Sequence, residues 1–290
     1  MYAAGSALVW SFSLILMRIA GHQVSPIPLT FFKNTLAFFL VVISLIVLGE
    51  PLFVRLEPYD YWRLVLSAVL GIAVADTMVA AALNRLGASL QALADCAYAP
   101  SIAFVGFIMF GEILSTFEII GGICVVFGVF VGATVTSEIK NPKDLWVGVL
   151  LAAGAHVVMA VGILMVRDIF RQESLIWVCS FRFFIGAVAM YIYAVFRFQG
   201  RVAETLFVGF LRRDMWRTMI PMAVLGPFLA TLLWVAGFKY LEAGRAAIFN
   251  QLSTVFIIIL AYFFLGEKIT LRKMVGVVLA LAGTVLVALH

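Results

Sequence analysis

Five side chains in this 290-residue sequence carry, or can carry, charge among apolar neighbours: Lys33, Asp76, Asp95, His156 and Arg182. Two acids, two bases and an imidazole can pair with one another, hold a polar solute, or pass a proton. Spacing enlarges the set. Gln91, Asp95 and Tyr98 recur at i, i+4 and i+7, which puts them on one face of a helix. Ser6, Trp10, Ser13 and Met17 repeat that rhythm near the N-terminus, and Asp76 leads a third face with Ala80 and Asn84. His156 stands alone, without Cys or acid at ligand spacing, so neither a metal nor a cofactor is expected. It reads either as a structural hydrogen-bond donor or as a proton-handling group of a cavity.

The surroundings of these residues settle the broad class. Hydrophobic residues make up 64% of the chain, charged ones 12%, and mean hydropathy is +1.13. A soluble domain carries about 25% charged residues, so half the usual polar coat is missing and an ordinary cytoplasmic enzyme is excluded. A charge at mid-bilayer costs roughly 2.5–3.5 kcal/mol on insertion scales, so each of the five needs a partner or a wet cavity. The net charge of +5 and pI near 9.2 come from loop Lys and Arg, as suits loops facing an anionic leaflet, and give no reason to expect nucleic acid. Cys96, Cys124 and Cys179 sit inside apolar runs and read as small packing residues.

Apolar runs of roughly 20 residues predict an all-α integral membrane protein with about ten spans; a barrel would need alternating ten-residue strands. The spans expected are Ala3–Ala20, Pro28–Leu48, Trp62–Leu83, Ala88–Phe110, Phe117–Val135, Trp146–Val166, Leu175–Phe196, Arg217–Tyr240, Ala246–Leu265 and Leu271–Leu289. The first carries Ser6, Trp10 and Arg18 without a basic leader, and is expected to be retained as a span. An offset of 155 residues lays Gly71 on Gly226, Leu86 on Leu241, Gly111-Glu112 on Gly266-Glu267, Gly121 on Gly276 and Gly128 on Gly283. An offset of 149 lays Arg18 on Arg167, Phe32 on Phe181 and Lys33 on Arg182. Two repeats follow, 1–137 and 145–290, and five spans in each invert the second relative to the first. Inverted halves meeting around a central cavity are the architecture of alternating access.

Several of these residues carry a family resemblance over essentially the whole chain. Trp10-Ser11, Pro100, Phe181-Arg182-Phe183, and the pairs Gly111-Glu112 and Gly266-Glu267-Lys268 resemble the ten-span EamA type of the drug/metabolite transporter superfamily. Lys33 stands where that family usually has Arg, and Val255 where its ninth span usually has Pro. The resemblance implies export or exchange of metabolites, amino acids or drug-like solutes across the cell (inner or plasma) membrane, with cytoplasmic termini. Counting loop charges gives about six Lys/Arg on the termini's side and about twelve on the other, which would put the termini outside.

The expected substrate wall comprises Trp10, Asp76, Gln91, Asp95, Tyr98 and His156, with Thr231, Trp234, Asn250 and Thr254 at the repeat-related positions. Lys33 and Arg182 are their charge partners. Asp76 across from Trp234 could recognise a cationic or aromatic solute, or could simply pair with Lys33 or Arg182. Gly111-Glu112 and Gly266-Glu267 read as fold devices, a glycine ending one helix and a glutamate at the start of the next. Gly128, Gly132, Gly276 and Ala280 mark the fifth and tenth spans as close-packing helices within the chain or in a homodimer. No GxxxxGK[ST] loop supports ATP-driven pumping, and no HExxH or GxSxG supports an enzyme. A proton-linked or facilitated carrier is expected; a receptor or scaffold that moves nothing is the alternative.

Overall fold

The computed structural model describes residues 2–111, 113, 115–133, 142–234 and 252–288, and every regular element in them is a helix. Helices stand at all ten expected places. Six are long and apolar enough to cross a bilayer: Pro26–Leu48, Pro58–Leu86, Ala88–Phe110, Lys143–Leu164, Leu175–Phe198 and Arg213–Trp234. Shorter apolar helices occupy Gly5–Gly21, Thr116–Gly132 and Leu252–Leu265, and the last runs Leu271–Ala288. Proline opens the second and third spans, where its missing N–H is not needed. Gly49, Gly111 and Gly266 close the second, fourth and ninth spans with φ of 68°, 66° and 67°, the left-handed region a Cβ disfavours.

The third and eighth spans are not plain α-helices. Each widens into a π-helical stretch, Val69–Ala75 in one and Val224–Ala230 in the other, 155 residues apart. A wide turn leaves backbone carbonyls partly unmatched, a cost that lipid cannot relieve. Serines from the first span answer it: Ser6 Oγ donates to the Ala230 carbonyl at 2.8 Å and Ser13 Oγ to that of Met222 at 2.7 Å. The first-span face that carries Ser6, Trp10 and Ser13 is therefore turned onto the eighth span. Trp10, half-buried between these serines, lies against Gly226.

Packing repeats with the same offsets. Gly226 sits against Ser13, and Gly71 against Gly162, whose Cβ would lie 3.3 Å from the Gly71 nitrogen. Ser13 and Gly162 are mates at 149, Gly71 and Gly226 at 155, so the first span rests on the eighth as the sixth rests on the third. Gly121 faces Gly283, and Gly128 faces Gly276. The close-approach stripes of the fifth and tenth spans thus meet inside one chain, and a homodimer would have to use their other faces.

The fourth span breaks at Cys96-Ala97, between helices Ala88–Asp95 and Tyr98–Phe110. Pro100 cannot donate to the Cys96 carbonyl, which takes the Thr284 hydroxyl at 3.4 Å instead. Thr254 Oγ1 donates to the Ala92 carbonyl at 3.2 Å on the other side of the break. Outward faces carry Phe39, Ile43, Val47, Phe196 and Phe263, all exposed, as lipid contact demands and water would not tolerate.

A Cβ on Gly128 would lie 2.6 Å from the Gly276 carbonyl oxygen, whereas one on Gly122 would meet only Pro100 at 3.8 Å. Gly128→Ala is expected to cost about 1–3 kcal/mol and Gly122→Ala within roughly 0.5 kcal/mol, read by unfolding in detergent.

Candidate functional site

Asp76 follows the π stretch of the third span, where the displaced turn aims its carboxylate at the second span. Lys33 Nζ donates to Asp76 Oδ2 at 2.5 Å, and Asn34 Nδ2 donates to the same oxygen at 3.2 Å and to the Ile72 carbonyl at 3.3 Å. The lysine is 5% exposed and the aspartate 15%, so this is a buried pair. Of the partners open to Asp76 in the sequence, the structure chooses Lys33. Arg182, the other expected charge partner, forms no ion pair with Asp76 among the described residues. It packs 5.5 Å from the Phe170 ring, and its Nε is buried without a hydrogen-bond partner.

A second cluster joins the fourth and sixth spans. Asp95 Oδ1 accepts from Gln91 Nε2 at 2.7 Å and lies 2.9 Å from His156 Nε2. With the carboxylate ionised, that nitrogen carries the hydrogen. The Tyr98 ring stands edge-on to His156, centroids 5.9 Å apart, so the four expected residues meet despite the break between Asp95 and Tyr98. His156 is 6% exposed and Gln91 fully buried, yet His156 Nδ1 and Gln91 Oε1 have no hydrogen-bond partner. Thr231 and Trp234 are half-buried on the eighth span just beyond its π stretch. Thr254 donates to the Ala92 carbonyl of the fourth span. Asn250, with Gln251, lies outside the described residues.

Glu267 corrects a sequence expectation. It does not serve the helix that follows it; Oε1 accepts from the Ala88 amide at 2.7 Å and Oε2 from the Ser89 amide at 2.9 Å, capping the fourth span from the other half. Arg18 donates to the Leu83 and Asn84 carbonyls, at 3.0 and 2.7 Å, at the end of the third span. An acid on exposed amides and a base on exposed carbonyls together close the turn at Gly87. Glu112, its repeat mate, lies outside the described residues. On the opposite side of the helices, Arg63 forks onto Asp168 at 2.5 and 2.9 Å and holds that carboxyl below the usual carboxylate range. Its contribution is present above about pH 4 and is lost as pH falls; at 47% exposure of Asp168, solvent keeps it small.

A cavity of about 570 Å³ opens between the fourth and fifth spans, lined by Pro100, Phe104, Glu118, Gly122 and Phe127 among others. None of the polar clusters lines it, and its exposed rings make it a groove on the lipid side. The chemistry therefore sits between helices and not in that groove.

The sequence profile of the EamA-like transporter family matches residues 1–134 and, separately, 146–289. The chain belongs to the EamA-like transporter family. Membership and the apolar helices make it a multi-pass membrane protein of the EamA type. A protein of Archaeoglobus fulgidus named as an uncharacterized transporter is 31% identical over 93 residues, and the match spans 30% of this chain and 34% of that relative. One crystal structure, described only as that of a protein, superposes with a TM-score of 0.66 over 98% of this chain and 94% of its own at 15% identity, a likeness of fold.

Two elements of this transporter's site escaped sequence reading. Asn34 was visible as an amide beside Lys33 in an apolar run; the clearance beside Arg182 was not, because Gly71 leaves it from another span.

Removing one partner of a buried pair strands the other. Lys33→Met is expected to cost about 3–5 kcal/mol, with most recovered in the Lys33→Met/Asp76→Leu double variant, read as a cycle of unfolding midpoints in detergent. Glu267→Gln should cost about 1–3 kcal/mol by the same measurement, since the charge on two helix-start amides is lost.

Proposed function

We propose that this transporter is a secondary carrier which moves a small metabolite, amino acid or drug-like solute out of the cell, or in exchange, by alternating access through the cell (inner or plasma) membrane. The observation that carries the reading is the pair of largely buried polar clusters, Lys33–Asp76, directly after a π stretch, and Asp95–His156, between the fourth and sixth spans. Charge in lipid is retained where a solute or ion must be handled. Two repeats, 1–137 and 145–290, built on the same contacts and inverted by their odd span number, supply two conformations of similar energy. Reciprocal packing of the first span on the eighth and the sixth on the third supports that arrangement. Trp10, Tyr98, Thr231 and Trp234 complete the wall, and Asn250 is assigned to it by its repeat position opposite Asp95.

Coupling is assigned to the Asp95–His156 pair. A carboxylate and an imidazole 2.9 Å apart share one hydrogen and can hold a second, the capacity needed to exchange a proton for solute. The unpartnered His156 Nδ1 gives that second proton or a solute a place to bind.

Flux through proteoliposomes with and without a pH gradient tests both parts, with solutes taken from metabolites whose export depends on the protein. Asp95→Asn and His156→Gln are expected to lower gradient-driven flux by tenfold or more, while solute-for-solute exchange persists. Flux indifferent to the gradient removes the proton and leaves a facilitator. No export difference, together with neutral substitutions at Asp76 and Asp95, would make the protein a receptor or scaffold.

A further inference from the structure

Arg182 is the one permanent charge of the buried set whose guanidinium keeps a buried nitrogen without a hydrogen-bond acceptor. The residue is only 8% exposed, so an unanswered donor there is costly. Asp76, the nearest candidate, is held by Lys33 at 2.5 Å and by Asn34, and Asp95 is held by Gln91 and His156. Otherwise the Phe170 ring lies 5.5 Å from its guanidinium carbon, and Cys179 and Tyr98, neither an anionic acceptor, lie within electrostatic range.

Space is reserved for this side chain. A Cβ on Gly71 would lie 2.7 Å from an Arg182 terminal nitrogen, so the guanidinium packs closely on the glycine of the third span's π stretch. A structural salt bridge would already have its acceptor; a buried guanidinium without one is what an oxyanion site presents.

Resting on the carrier reading above, we infer that Arg182 is the docking group for the carboxylate of the transported solute, held against the Gly71 turn with Tyr98 alongside. One guanidinium answers one negative charge in a fork of two parallel hydrogen bonds, which matches a monocarboxylate and leaves a phosphate dianion half unanswered. The solute class is a small monocarboxylate whose remainder lies toward the Tyr98–His156 side.

The test is binding to the full chain purified in detergent, read as thermal shift at constant ionic strength. Probes are acetate, lactate and benzoate, each against its amide, with phenyl phosphate as the dianion. At least one carboxylate is expected to raise the unfolding midpoint by roughly 2–4 °C while its amide does not. Arg182→Lys should weaken that carboxylate about tenfold, and Arg182→Gln should abolish the shift. Arg182→Gln without ligand should unfold at or above the wild-type midpoint, since an unpaired buried charge has been removed. Equal shifts by acid and amide, a larger shift by phenyl phosphate, or a midpoint several degrees lower in both variants would overturn the inference, the last by making Arg182 structural. Binding is independent of flux: a protein that binds carboxylates but moves nothing passes here and fails the proteoliposome test.

Discussion

A backbone group without a partner has nowhere to turn inside a bilayer, and this chain interrupts its helices repeatedly. The π stretches at Val69–Ala75 and Val224–Ala230 and the break at Cys96-Ala97 free amides or carbonyls within spans, and the turn at Gly87 does so between two of them. Their partners come largely from the opposite half of the sequence. Ser6 and Ser13 reach carbonyls of the eighth span, Ser67 reaches the Gly162 carbonyl, and Thr254 and Thr284 brace the fourth span on either side of its break. Glu267 caps that same span at Ala88 and Ser89. Each half is incomplete as a hydrogen-bonded object, and the other half completes it.

This arrangement positions the polar clusters as a by-product. Asp76 comes directly after a π stretch, so the extra residue in that turn sets where its carboxylate points, and Lys33 and Asn34 meet it there. Asp95 ends the first segment of the broken fourth span, and the near-helical backbone through the break keeps Tyr98 against the His156 ring that Asp95 bonds. Hydroxyl-to-carbonyl bonds between membrane helices are worth about 1 kcal/mol each, so an interface built from them is specific without being strong. That is the energetic condition a carrier needs if its halves are to re-pack.

Residue patterns made much of this legible. Ten helices follow from apolar run lengths, and the offsets of 155 and 149 recover packing that pairs Ser13 with Gly226 and Gly162 with Gly71. The i, i+4, i+7 stripe of Gln91, Asp95 and Tyr98 survives even across a helix break, because Cys96 and Ala97 stay close to helical conformation. Partner choice was not legible. Periodicity says which residues share a face and is silent on what faces them, so Ser6 and Ser13 read only as one helix face when they brace the eighth span, and Glu267 reads as serving its own next helix when it caps one 179 positions away.

By itself, then, the sequence determined that the chain lives in lipid, how many times it crosses, and which few polar residues lipid would not accept alone, because transfer free energy is a property of the residues one by one. Which acid holds which base is different. Lys33 and Arg182 occupy related positions and carry the same charge, yet one is paired with Asp76 and the other keeps its Nε unanswered while a terminal nitrogen packs on Gly71. Only the tertiary structure decides between them, since pairing depends on distances of a few ångströms between spans that no spacing along the chain encodes.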